Sequence, residues 1–445
     1  MVKDVKPILC NVKIVANKHD GVVLMATDTD VGIRCRVDAD VSKDGEALLP
    51  PKQFRQILES AKAGRLTLES TKNGIIVTGG HGGNEQWGLD TQSPDEFPDV
   101  ADFAEDAYHE IPAKALSEMI LRTMFATDKD DVRYALGGVC FEHDGDSLTA
   151  VATDGRRLAV QNADGICVNG HDYEPAILPI NVVKLLTKVL KDKFVCDTDD
   201  VKMAVNAVVD KERRTSGKIH FHYGGVTIFS RLMDGRFPKW RSIVPETEDR
   251  LHASVRCETL RTALDQMVTT KLQPGILFTF RRGSLTLESR AKESGQSKAV
   301  IPVTFDGTVE FIFDVTFIRD YLRSLPAETA IDIYMSMDND PVLFEIGDGN
   351  YRYVVMPMTP DKPATAKPEA DTGIEVAGQE STMEEPMKKV VETPCTDDDT
   401  DLQTRFFQLQ MENDQLQAKV EHYKTLLDRV MRVIEKMKND QRVCV

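Results

Sequence analysis

The chain has 445 residues, of which 41% are hydrophobic and 29% charged, with a formal net charge of −17. At about 150 residues per domain that length allows roughly three cores, and the composition is ordinary for a globular protein rather than a fibre. The acidic balance excludes a histone-like coat of positive charge but not a local basic surface, and no apolar run approaches the roughly 20 residues of a membrane-spanning helix.

Met1-Val2-Lys3-Asp4 is not expected to open a signal peptide. The eight cysteines are scattered with no Cys-x-x-Cys spacing. That pattern fits free thiols in a reducing compartment better than a disulfide scaffold or a zinc site, so a soluble cytosolic protein is expected.

Internal repetition organises the first 360 residues. Residues 12–28 read as an alternating strand, a His19-Asp20-Gly21 turn and a second strand ending in Ala26-Thr27-Asp28. Residues 139–154 repeat this, turning at His143-Asp144-Gly145 and ending in Ala152-Thr153-Asp154. The second copy holds two more residues between turn and Ala-Thr-Asp, a change that keeps each side chain on its face. A fainter third copy runs over 276–289. Helices are predicted after these hairpins over 52–64, 181–193 and 315–325, and leading helices over 112–124 and 256–270. Glu96-Phe97-Pro98 and Arg236-Phe237-Pro238 close the first two units. The expected fold class is α+β, as three copies of one unit at 1–106, 107–247 and 248–360.

Residues 361–401 hold twelve acidic residues against four lysines, with no apolar periodicity, and read as a disordered linker. A heptad follows over 402–440, with Phe406, Asn413, Val420, Leu427 and Ile434 at a and Leu402, Leu409, Leu416, Tyr423, Val430 and Met437 at d. This predicts a coiled-coil helix, joined to itself or to an unknown partner, although Lys419 at g would face Lys424 at e in a parallel homodimer. A surface helix packed on its own body is the plainer alternative.

The segments 52–65, 113–129, 181–193, 256–271 and 316–323, which hold the predicted helices, carry a net +9, which leaves −26 for everything else. If they share one face, that face attracts phosphate while the remainder repels it; solvated helix faces beside acidic loops are the alternative. Catalytic signatures are missing: no GxxxxGK[ST], HExxH or GxSxG occurs, and Gly79-Gly80-His81-Gly82-Gly83 lies between strands as a hairpin loop. His220 and His222 could face one way on a strand as metal ligands, or simply lie exposed, since no third ligand is near in sequence. Neither an enzyme nor a cofactor is expected.

Three motifs, Ala152-Thr153-Asp154-Gly155-Arg156-Arg157-Leu158-Ala159, Phe237-Pro238-Lys239-Trp240-Arg241 and Val354-Val355-Met356-Pro357-Met358, stand at fitting positions in this repeat. Over about residues 3–359 the chain resembles the bacterial DNA polymerase III beta subunit family, the sliding clamps. The resemblance implies a DNA-clamp fold: a head-to-tail homodimer of three-domain subunits, sheets outside and helices lining a hole that encircles duplex DNA. It implies a processivity factor acting in the cytoplasm at the nucleoid, which tethers a DNA polymerase and meets a clamp loader through short peptide motifs. By position, the partner-peptide cleft would use Leu136, Thr153, Gly155, Arg156, Arg157, Leu158, Pro238, Ile243, Val354, Met356, Pro357 and Met358. Met356 and Met358 could instead be strand-edge core residues. Lys3, Arg133, Tyr134 and Lys188 match DNA-contacting positions, and charge alone adds Lys184, Arg55 and Arg65.

Three departures accompany the resemblance. The first unit is expected to lack the family's opening strand and helix, Ser242 and Thr359 stand where some relatives carry arginine, and the chain continues well past Met-Pro-Met. A clamp-fold scaffold that no longer closes on DNA and works through its coiled coil is therefore the alternative reading.

Overall fold

The computed structural model describes residues 6–61, 66–71, 74–79, 85–128, 136–164, 167–169, 173–191, 200–209, 215–267, 275–289, 296–337, 340–347, 349–358 and 443–444. All of these fall in one compact unit, comprising Met1–Met358 and Val420–Val445. The linker expected at 361–401 and the heptads expected at 402–440 lie outside the described residues.

The first portion holds β1 (Val12–Asn17), β2 (Gly21–Thr27), β3 (Val31–Val37), β4 (Gly45–Leu49), α1 (Pro51–Ser60), β5 (Leu66–Ser70), β6 (Gly74–Gly79) and β7 (Glu85–Asp90). The second holds β8 (Tyr108–Pro112), α2 (Ala113–Thr123), β9 (Gly138–Asp144), β10 (Ser147–Thr153), β11 (Arg157–Ala163), β12 (Cys167–Asn169), β13 (Ala176–Pro179), α3 (Ile180–Lys191), β14 (Asp200–Val209), β15 (Thr215–Tyr223) and β16 (Val226–Arg231). The third holds β17 (Leu251–Arg256), α4 (Cys257–Asp265), β18 (Gly275–Arg281), β19 (Ser284–Ser289), β20 (Ser297–Pro302), β21 (Thr308–Asp314), α5 (Val315–Arg323), β22 (Ala330–Met335), β23 (Val342–Ile346) and β24 (Tyr351–Val355). A last short strand, β25, is Val443–Cys444.

Local chemistry explains the element ends. Strand β1 buries every second residue, the period of a half-covered strand. Helix α1 begins with proline, whose missing N–H has no intrahelical partner at that place anyway. Asp314 caps α5, its carboxylate accepting the Thr316 N–H at 2.8 Å. Helices α1, α2, α4 and α5 end before the residues at which apolar periodicity suggests they stop.

The repeat is visible in the pairing. In the second and third portions a strand–helix–three-strand motif occurs twice, and the two motifs exchange their opening strands. Thus β8 pairs β14 and β13 pairs β9, while β17 pairs β22 and β21 pairs β18. Sheets also run across the portions. The nine-stranded sheet has the order β12-β8-β14-β15-β16-β3-β2-β1-β4, and the eight-stranded sheet β13-β9-β10-β11-β24-β23-β22-β17. Two four-stranded sheets, β20-β19-β18-β21 and β25-β5-β6-β7, complete the set. One continuous core packs the helices against the sheets, including Phe54 of α1, Leu116 of α2, Val183 of α3, Leu260 of α4 and Ile318 of α5.

Candidate functional site

Strands β10 and β11 are apolar on both faces. Ala150, Ala152 and Ala159 point into the helix-side core, so Val151, Leu158 and Val160 point to the opposite face of the sheet. There they join Cys140, Ile177, Leu343 and Val354 in a separate apolar cluster. The chain that follows β16 lies across it: Trp240 is buried in the cluster, and Met233, Phe237 and Val244 pack against it. Glu142 of β9 pins this crossing. Its carboxylate accepts the Trp240 indole N–H at 3.0 Å and pairs with Arg241 at 2.6 Å, while the Arg241 guanidinium sits 4.4 Å over the Trp240 ring. Burial pushes the Cys140 thiol well above its ordinary pKa, so it serves as floor rather than nucleophile.

Not all of this surface is covered. Ile243 is 41% exposed and Met356 43% exposed. The Met356 N–H donates to the Arg156 carbonyl at 3.0 Å, which holds the methionine beside the end of β11. Leu158 and Val354 are buried in the cluster, Ile243 is held to the buried Trp240 by its N–H on the Trp240 carbonyl at 2.9 Å, and Pro238 is half-buried in the crossing chain. In the first portion the corresponding cluster on β1, β2 and β4 is filled by Ile8, Leu9, Phe97 and Val100. Its counterpart in the second portion is the one left with apolar side chains in solvent.

The Ala-Thr-Asp motif is a turn device. The Thr153 hydroxyl accepts the Gly155 N–H and donates to the Arg157 carbonyl, while Asp154 accepts the N–H groups of Arg156 and Arg157. Gly155 has φ +84°, a left-handed conformation that suits glycine. The first repeat builds the same turn from Thr27 and Asp28. There Thr29 takes φ +83°, at a cost of about 1 kcal/mol. Thr153 is buried, while Gly155 and Arg156 are exposed at the turn that aims the start of β11.

Three expected groove residues sit elsewhere. The Arg157 side chain is only 6% exposed and is spent on the junction between the second and third portions. It donates to Asp154 and Asp320, both at 2.9 Å, and to the Phe125 carbonyl, with Phe317 4.5 Å from its guanidinium carbon. Burial works to lower its pKa, but Tyr353, Asp320 and Asp154 outweigh that and raise it, so it stays charged. Met358 donates its N–H to Ile312 of β21, and its sulfur passes 3.5 Å from where a Gly275 side chain would start; it belongs to the β18–β21 sheet. Leu136 is buried ahead of β9, where its carbonyl accepts the Asp128 N–H, outside the apolar cluster as described. Pro357 is buried between the two methionines.

The second candidate surface is cationic. On α3, Val182, Val183, Leu185, Leu186 and Val189 are buried, which leaves Lys184, Lys188 and Lys191 exposed along one face. On α1, Lys52 is exposed and Arg55 pairs with Glu59 at 2.7 Å. The helix charge count needs correction, because three arginines in it work internally. Arg122 binds Gln161 at 2.9 Å, and Arg261 donates to the Leu322 and Leu325 carbonyls at 2.6 and 2.8 Å. Arg319 donates to the Leu264 carbonyl and pairs with Asp265. The cationic surface is thus carried by lysines of α1 and α3, with Lys114 of α2 and Arg323 of α5. Lys3, Arg65, Arg133 and Tyr134 lie outside the described residues. Among the described residues no group of three or more His, Cys, Asp or Glu could hold a metal.

Comparison with known proteins adds the following. Residues 1–101 match the DNA polymerase III beta subunit N-terminal domain, and residues 110–239 match its central domain. The chain is 26% identical over 359 residues to the beta sliding clamp of Escherichia coli (strain K12), covering 79% of this chain and 92% of that one. It is 26% identical over 356 residues to the beta sliding clamp of Chlamydia pneumoniae, covering 79% and 91%. Among solved structures, a Pseudomonas aeruginosa DNA polymerase sliding clamp with ligand superposes with TM-score 0.70 at 26% identity, over 80% of this chain and 94% of that one. A Pseudomonas aeruginosa clamp bound to griselimycin gives TM-score 0.69 at 25% identity, over 80% and 93%.

Proposed function

The chain belongs to the DNA polymerase III beta subunit family of sliding clamps, and from that premise we propose which of its residues close the ring, meet DNA and take the polymerase. It is a non-catalytic clamp that holds a DNA polymerase on its template. In this reading residues 1–106, 107–247 and 248–360 are its three domains, and two copies close head to tail.

One observation carries the ring. The junctions within the chain are strand pairs, β16 with β3 and β24 with β11, both antiparallel. Each time, the last strand of one portion meets the strand that follows the repeat hairpin (β1–β2 or β9–β10) of another. By the same rule β7 should meet β20, yet among the described residues each of these is a sheet edge without a second neighbour. A third junction of this kind therefore needs a second copy, and two copies satisfy each other. Val300 of β20 is 61% exposed, an apolar side chain at that edge. Val300→Asp should leave the fold intact and shift the protein from dimer to monomer, with at least a tenfold weaker association by sedimentation velocity. A variant that stays dimeric at the same concentration contradicts this junction.

Lys184, Lys188 and Lys191 would meet phosphates without reading bases, so affinity should be independent of sequence and steep in salt. Replacing all three by alanine should reduce the slope of log affinity against log salt on duplex DNA by roughly 2–3, measured by fluorescence anisotropy. A change in slope below about 1 would remove α3 from the DNA-facing surface.

The groove bounded by Leu158, Val354, Ile243 and Met356 suits a short apolar peptide, since methionine and branched side chains adapt to varied partners. Griselimycin, bound in the Pseudomonas aeruginosa relative, is the natural probe for it here. Polymerase and loader would share this groove, and a replication clamp would work in the cytoplasm, at the nucleoid. Among the described residues no helix is long and apolar enough to cross a membrane.

A further inference from the structure

In the second portion β14 is flanked on its outer side by β8, and in the third portion β22 is flanked by β17, antiparallel in both cases. Each flanking strand leads directly into a helix of the same portion, α2 or α4. Strand β5 holds the equivalent place in the first portion, next to β6. Its outer neighbour differs in origin and direction. It is β25, running parallel, with Val443 opposite Leu66 and Cys444 opposite Thr67.

We propose that the outer edge of β5 is a strand-acceptor site and that its occupant is this chain's own segment around Val443–Cys444, which completes the sheet ending in β7. An open edge presents a row of unpaired N–H and C=O groups and takes up whatever strand is available. Main-chain hydrogen bonds supply the attraction in such additions, and valine-rich chain suits them; the sequence here is Arg442-Val443-Cys444-Val445. The alternating burial of Leu66, Thr67 and Leu68 keeps β5 a regular strand up to that edge. A pairing this short would be too weak for a free peptide. Covalent attachment raises the effective concentration to about millimolar, and the chain between Met358 and Val443 is long enough to reach. The occupied edge is opposite β7, so the docked segment braces the sheet without covering the edge assigned above to ring closure. The inference rests on strand pairing alone and not on the ring.

The full-length Thr67→Cys variant tests it. Thr67 is exposed, so the substitution should fold, and opposed Cα atoms on paired strands lie within about 5 Å, inside the range that a disulfide spans. Mild oxidation should give a 67–444 disulfide within one chain as the main new product, by peptide mass and non-reducing gel. Its rate should be independent of protein concentration and at least tenfold that of a Glu69→Cys control, and Cys444→Ser should abolish it. The link should also form in Val300→Asp, so a failed ring and a failed docking are told apart. Equal yield from Glu69→Cys, no 67–444 link, or a link only between chains would overturn the proposal. A cysteine-independent reading is amide exchange in the full chain. Val443→Pro should speed exchange about tenfold at whichever of the Leu66 and Thr67 amides faces β25 and not at the one that faces β6, and unchanged protection at both overturns it as well.

Discussion

Arg157→Ala should lower the stability of the folded body by about 3–5 kcal/mol, read by urea unfolding followed by circular dichroism. The guanidinium holds two carboxylates and a carbonyl at once, and the carboxylates come from different portions of the chain. Removing it leaves Asp154 and Asp320 facing one another at 16% and 25% exposure; the next cation, Arg323, stands 3.9 Å from Asp320 and is itself 69% exposed. It also removes the flat surface that Phe125 and Phe317 pack on. Arg157→Lys should recover only part of the loss, because an ammonium cannot serve three acceptors in that fork or stack on two rings. A cost below about 1 kcal/mol for the alanine variant would show that the junction is held by apolar contacts, such as the Phe125–Tyr353 ring contact at 5.6 Å, and not by the ion pairs.

Met356→Asp and Ile243→Asp should each weaken griselimycin binding by about 30-fold or more, close to 2 kcal/mol, with melting and dimerisation unchanged. Both side chains are already exposed, so a carboxylate there costs the free protein little. The cost arises on binding, when an apolar ligand would have to strip water from the charge. Met358→Asp is the internal control. Its backbone is tied to β21 and its sulfur lies by Gly275, so it should change binding by less than about twofold. Titration calorimetry on the three variants decides it. Equal losses at Met356 and Met358 would return Met358 to the groove, and no loss at Met356 or Ile243 would move the peptide site elsewhere.

Much of the architecture was legible in the sequence because it is local. The hairpins at 12–28, 139–154 and 276–289 appear as β1–β2, β9–β10 and β18–β19, since alternation and turn residues act over a few positions. The helix positions followed from apolar spacing for the same reason. Long-range pairing was not legible. Arg157 and Asp320 stand 163 residues apart, and only the adjacency of β11 and β24 brings them together; the motif identified the residue but not its task. Charge counting treated Arg122, Arg261 and Arg319 as surface cations, although a guanidinium beside a helix end finds carbonyls to bind. Glu142 was missed because nothing in its neighbourhood announces that it will hold Trp240 and Arg241 across the sheet. The pairing of Val443–Cys444 with β5 has no signal shorter than the whole chain.

The most direct test of the clamp account is retention on DNA. Protein loaded on a nicked circular plasmid by a clamp loader and ATP should remain on the plasmid through gel filtration at high salt, and should be lost once a single restriction cut opens the circle. Equal retention on circle and linear form, or equal loss from both, contradicts a closed ring threaded by its template.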